Sequence, residues 1–73
     1  MPPMPSPAAA LTRISDHVRT TRRAMSLTQQ ELADLAGVSD ATVRQIERAT
    51  GRGTLSSLLA VLGVLGLDLE VRG

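Results

Sequence analysis

Ala33, Gly37 and Val43, four and then six residues apart, limit what this chain can fold into more than any other group in it. Leu32, Ala36, Val38, Val43 and Ile46 fall on the inward positions of two short helical periods either side of Gly37. Ala33 falls where the first of those helices would meet the second. A small side chain there lets the axes approach at a steep angle, whereas a Leu would wedge them apart. Gly37 stands where a helix end takes a left-handed conformation without a Cβ penalty. The two helices are therefore expected to be joined by a turn of about three residues.

Local signals bound the remaining elements. Thr28, with Glu31 three residues on, forms the capping-box pattern that satisfies orphan N–H groups, so a helix runs from Gln29 to Ala36. Ser39 can cap the next helix, with Asp40 in its first turn complementing the dipole, and that helix continues to about Arg48. "ATGRGT" then breaks the chain, and Thr54 can cap a fourth helix, Leu55 to Leu65, whose apolar face is Leu55, Leu58, Leu59, Leu62 and Leu65. Upstream, Leu11, Ile14, Val18 and Met25 share one face of a first helix, Ala10 to Met25. After Gly66 the period changes to two. Leu67, Leu69 and Val71 alternate with Asp68, Glu70 and Arg72, which is strand patterning with no second strand in the chain to pair with.

These signals divide the chain into a Pro-rich arm, residues 1–9, expected to be disordered, a helical domain, 10–66, and a short strand, 67–73. All four Pro lie in the first seven residues, with no positive region ahead of an apolar run, so the arm reads as neither a signal nor a transit peptide. The longest apolar stretch, Leu55 to Leu67, is interrupted by two Ser and two Gly and falls well short of the roughly 20 residues a membrane helix needs. A soluble, cytoplasmic protein with no membrane association is expected.

Composition narrows the function. With 73 residues the core is small, and stability beyond a few kcal/mol calls for a staple or a partner. There is no Cys, which excludes a disulfide or thiolate metal site. The absence of Phe, Tyr and Trp removes the base-stacking platforms of single-stranded nucleic-acid binders. The net charge is only +1, but every basic residue is Arg, and from Leu11 to Gly53 seven Arg face five acids. Arg presents a planar fork of donors suited to phosphates and guanine edges, although an Arg-only basic set can equally reflect genome composition. His17 is the sole His, with no second ligand for a metal and no nucleophile to activate, and reads as a surface residue. No acid/base or metal constellation exists, so an enzyme is the weakest reading, and no cofactor is expected.

"LTQQELADLAGVSDATVRQIE", Leu27 to Glu47, resembles the helix-turn-helix of the Cro and lambda-repressor-like (XRE) family, with the capping Thr, Gln, Glu, Ala, Gly and closing Glu at the family spacing. The resemblance extends over roughly residues 11–65. It implies an all-α, lambda-repressor-like bundle of four helices that binds double-stranded DNA. One departure is Ser26, where the family usually has Gly. A left-handed turn is more strained with Ser, so that corner is expected to be built differently. "GTLSSLLAVLGVLGLDLEVRG" is further similar to the end of HipB-like antitoxins, in which a short strand pairs with its counterpart in a second subunit. That likeness implies a homodimer, with Leu67, Leu69 and Val71 in the dimerisation strand, and a HipA-like serine/threonine kinase toxin as partner.

The resemblance also implies residue roles. Ser39, Asp40, Ala41, Arg44 and Gln45 would contact bases: Gln45 is suited to adenine, Arg44 to guanine or phosphate, Asp40 to cytosine N4 and Ala41 to a thymine methyl. Ser39 and Asp40 also have a purely local use in starting the helix. Gln29, Thr42, Arg48 and Arg52 would contact phosphate, Gln29 with the help of a helix N-terminus. Arg22 and Glu47 would form a structural salt bridge between the first and third helices. The expected function is thus a dimeric antitoxin that represses its own operon at a palindromic operator. The rivals are a plain XRE-family repressor and a toxin-binding module with little DNA binding, which the small net charge permits.

Overall fold

A computed structural model describes residues 6–71. Four helices follow in order: α1 Pro7–Ala24, α2 Gln29–Ala36, α3 Asp40–Glu47 and α4 Leu55–Leu65. α2 packs against both α3 and α4, while α1 lies across α3 and touches α4. Val18, Leu32, Ala33, Val43 and Val61 are fully buried at the centre, with Leu62 and Leu65 beside them. Among the described residues no helix is long and apolar enough to cross a membrane.

α1 starts three residues earlier than expected, so residues 7–9 belong to a helix and not to a disordered arm; Met1 to Pro5 lie outside the described residues. The cause is local. The Ser6 hydroxyl accepts the Ala9 N–H at 3.1 Å, and Pro7 sits at the first helical position, where its missing N–H costs nothing. α1 also ends one residue early, at Ala24, and Met25 is about half exposed rather than in the core. α3 stops at Glu47, with Arg48 as its cap.

The inner face of α4 differs from the expected one. Leu55 and Leu59 are exposed, whereas Val61 is completely buried and Val64 packs against the core with Leu58.

All four helices end in the same way. At Ser26, Gly37, Ala49 and Gly66 the backbone turns left-handed, with φ of 58°, 69°, 58° and 70°. The N–H of each left-handed residue returns to the carbonyl three residues back, and the next N–H to the carbonyl five back, as in Gly37 to Asp34 and Val38 to Ala33. Ser26 therefore does not build its corner differently, because the returning bonds from Ser26 to Arg23 and Leu27 to Arg22 impose the left-handed geometry despite the Cβ. Such a conformation costs a non-Gly residue about 1–2 kcal/mol, part of which Gly gives back as chain entropy. Ser26→Gly and Ala49→Gly are each expected to raise stability by about 0.5–1 kcal/mol. Denaturant melts measure it, and a loss of stability in both variants contradicts it.

Residues 67–71 form no strand. Leu67 is half-buried and its N–H bonds the Leu62 carbonyl at 2.9 Å, Leu69 is 41% exposed and Val71 is 93% exposed. Arg72 and Gly73 lie outside the described residues.

Candidate DNA-binding face

The corner formed by α2, Gly37 and α3 presents one side of α3 outward. Val43 and Glu47 are buried and Ile46 packs on the core, so Ala41, Arg44 and Arg48 form the exposed stripe, flanked by half-buried Asp40, Thr42 and Gln45. Ser39 caps the helix: its hydroxyl accepts the Thr42 N–H at 3.1 Å and lies 2.9 Å from the Thr42 hydroxyl. Asp40 is bonded to Arg44 one turn on, Oδ2 accepting from Nη1 at 2.8 Å. Arg52 is exposed on the loop after α3 and shares a shallow groove with Thr42 and Gln45, floored by Leu11, Ile14, Ile46 and Leu58. The structure thus brings Thr42, Gln45 and Arg52 together at one groove, and separately bonds Asp40 to Arg44 on the outer side of α3.

The orientation of that face depends on Glu47. Its carboxylate accepts from Arg22 Nε at 2.6 Å and Nη2 at 3.0 Å, a two-pronged pair whose side chains are only 11% and 4% exposed, and from Gln29 Nε2 at 3.3 Å. The hydrogen bond and the charge of Glu47 raise the Arg22 pKa, against a smaller opposing effect of burial. Arg22 also donates Nη1 to the Leu27 carbonyl at 2.8 Å, holding the turn between α1 and α2. The Glu47 carbonyl, at the end of α3, accepts from the Ser15 hydroxyl and from Arg19 Nη1 at 3.1 Å. One residue therefore ties the end of α3 to α1 and to the start of α2. Gln29, expected at a phosphate, directs one amide N–H to this cluster at 3.3 Å and keeps the other. At the same helix start Thr28 and Glu31 complete the capping box, and the Thr28 backbone and hydroxyl bonds lower the Glu31 pKa.

Ser15 and the Arg19 bond to Glu47 were not foreseen from the sequence. The available signal was a polar residue, Ser15, on the same helical stripe as Leu11 and Val18.

A family model described as helix-turn-helix matches residues 18–71, which takes in the last two turns of α1, all of α2 to α4 and the described tail. The chain belongs to the XRE-type helix-turn-helix family. No curated protein matches it. As a member of the XRE-type family it is a DNA-binding regulator of transcription, with double-stranded DNA as its partner. The corner described above is the motif for which the family is named.

Proposed function

We propose that the protein is a dimeric repressor that reads a palindromic operator through α3 and acts as the antitoxin of a HipA-like serine/threonine kinase. In helix-turn-helix docking the second helix of the motif enters the major groove while the first crosses the backbone. The observation that supports this use of α3 is its outer side: Ala41 and Arg44 are exposed with Ser39, Asp40 and Gln45 beside them, and among the described residues no apolar neighbour covers that stripe. Ser39, Ala41, Arg44 and Gln45 contact bases in this reading, with Asp40 among them on the same helix start and bonded to Arg44, and Gln29, Thr42, Arg48 and Arg52 hold phosphates. Two subunits related by a two-fold axis place their α3 helices about 34 Å apart, in successive major grooves.

Gln45 tests the reading of bases. Gln45→Ala is expected to cost roughly 1–3 kcal/mol of specific binding and to relax preference at one position, because a two-pronged Gln–adenine contact is lost. Gln29→Ala is expected to weaken binding to all sequences alike. Binding to a panel of single-base variants of a duplex enriched from a randomised pool measures both. A Gln45→Ala protein that discriminates as well as wild type refutes the role of Gln45.

The antitoxin part rests on the tail, Leu67, Leu69 and Val71, through which the subunits pair. It is tested by the neighbouring reading frame: a kinase-like product that arrests growth alone and is relieved by co-expression of this protein supports it. A product that is not relieved leaves a plain XRE-family repressor.

A further inference from the structure

Asp40 and Arg44 sit one turn apart on the outer side of α3, 41% and 46% exposed, joined Oδ2 to Nη1 at 2.8 Å. As a stability element such an exposed pair counts for little. Its position gives it a different use. We infer that Asp40 is a positioning residue for Arg44, holding the guanidinium as a preset fork for a guanine edge and making it a poor ligand for phosphate. This rests on the reading of α3 as the recognition helix.

Three features carry the inference. The bond engages Nη1 and a single carboxylate oxygen, so Nε and Nη2 keep donors for guanine O6 and N7, the base edge that best fits the Arg fork. The backbone of Asp40 is held, because it opens a helix capped by Ser39, whose hydroxyl accepts the Thr42 N–H, so its carboxylate springs from a fixed point one turn before Arg44. A free Arg on this face would bind any phosphate. With the Asp40 charge beside it, an approaching phosphate meets a nearly neutral pair, whereas a guanine edge asks for directed donors and not for net charge. The chain's formal charge of only +1 is in keeping with a surface that limits sequence-independent attraction.

The pair therefore makes a joint prediction that two independent base contacts would not. Asp40→Asn is expected to raise affinity for mixed-sequence duplex, to steepen its salt dependence by up to about one unit per subunit in the log–log slope, and to lower the ratio of specific to non-specific binding about fivefold. Arg44→Ala is expected to lower the specific affinity and to relax one guanine position. In the Arg44→Ala background Asp40→Asn should change the ratio hardly at all. The probes are the duplex enriched from a randomised pool by wild type, its single-base variants, and a mixed-sequence duplex, with circular-dichroism melts confirming that each variant is folded.

If Arg44→Ala relaxes discrimination while Asp40→Asn leaves both ratio and salt slope unchanged, the inference is overturned and Asp40 merely starts the helix. Equal effects of Asp40→Asn in both backgrounds overturn it too, in favour of a direct contact from Asp40 to cytosine. If Arg44→Ala and Gln45→Ala both leave discrimination intact, it is the reading of α3 as the recognition helix that has failed.

Discussion

Glu47→Leu alone is expected to destabilise the protein by about 3–5 kcal/mol, and Arg22→Met together with Glu47→Leu by less than either change alone. Both side chains of the pair are nearly buried, and each has had its hydration replaced by the other. Removing Glu47 leaves the Arg22 guanidinium with the Leu27 carbonyl as its remaining acceptor, and removing Arg22 leaves the carboxylate with the Gln29 amide. In either case an uncompensated charge keeps its desolvation cost. The double variant removes the charge along with the contact, and Met and Leu supply apolar volume. Stability near 0.1 kcal/mol per residue gives a chain of this length only about 7 kcal/mol, so either single variant should lose roughly half of it and melt at a much lower urea concentration. Urea melts of the four proteins form a double-mutant cycle, and strictly additive single effects would show that the two residues do not interact. The Ser15 and Arg19 bonds go to the Glu47 main-chain carbonyl and survive all these substitutions, so the cycle isolates the ion pair.

The parts of the fold that were legible beforehand are those set by neighbours in the chain. Thr28, Gly37, Ser39, Thr54 and Gly66 mark where α2, α3 and α4 start or stop, because a cap is satisfied within three or four residues. The start of α1 had such a signal too, Ser6 followed by Pro7, but the Pro-rich composition around it obscured it. α4 failed for a different reason. "LSSLLAVLGVL" has almost no polar face to phase it, so periodicity alone could not choose between Leu59 and Val61 for the interior. The left-handed Ser26 could not be read either, since what holds it is the pair of returning backbone bonds, and those outweigh the preference of the side chain. On the candidate site, helical spacing alone reveals which side of α3 faces out. The bonding of Ser15 and Arg19 to Glu47 spans some thirty positions and needs the packed bundle.

Ending the chain at Gly66 is expected to turn the proposed dimer into a monomer and to lower affinity for a palindrome about 10²- to 10⁴-fold, while affinity for a single half-site changes little. Within one protomer the tail is half provided for: Leu67 joins the core cluster, and Leu67 and Leu69 line an open groove of about 560 Å³ with Ile14 and Leu62, flanked by Arg13 and His17. Val71 has no such cover. In the proposed dimer the tail pairs with its copy across the two-fold axis, and the apolar side of that ribbon rests on the bundle, since an isolated two-stranded ribbon is marginal in water. Strand and dimer then form or dissolve together, and the second half-site is held at high effective concentration only while they persist. Truncation also removes Leu67 from the core and so lowers the stability of the bundle itself, which would confuse a binding measurement. Val71→Asp separates the two effects. At 93% exposure Val71 contributes nothing to a lone protomer, so a variant that keeps the melting behaviour of a monomer but loses dimer mass isolates the interchain contact. Sedimentation equilibrium gives the decision: equal mass for the full-length, truncated and Val71→Asp proteins would remove the interchain strand, and with it the reason for preferring an antitoxin to a plain XRE-family repressor.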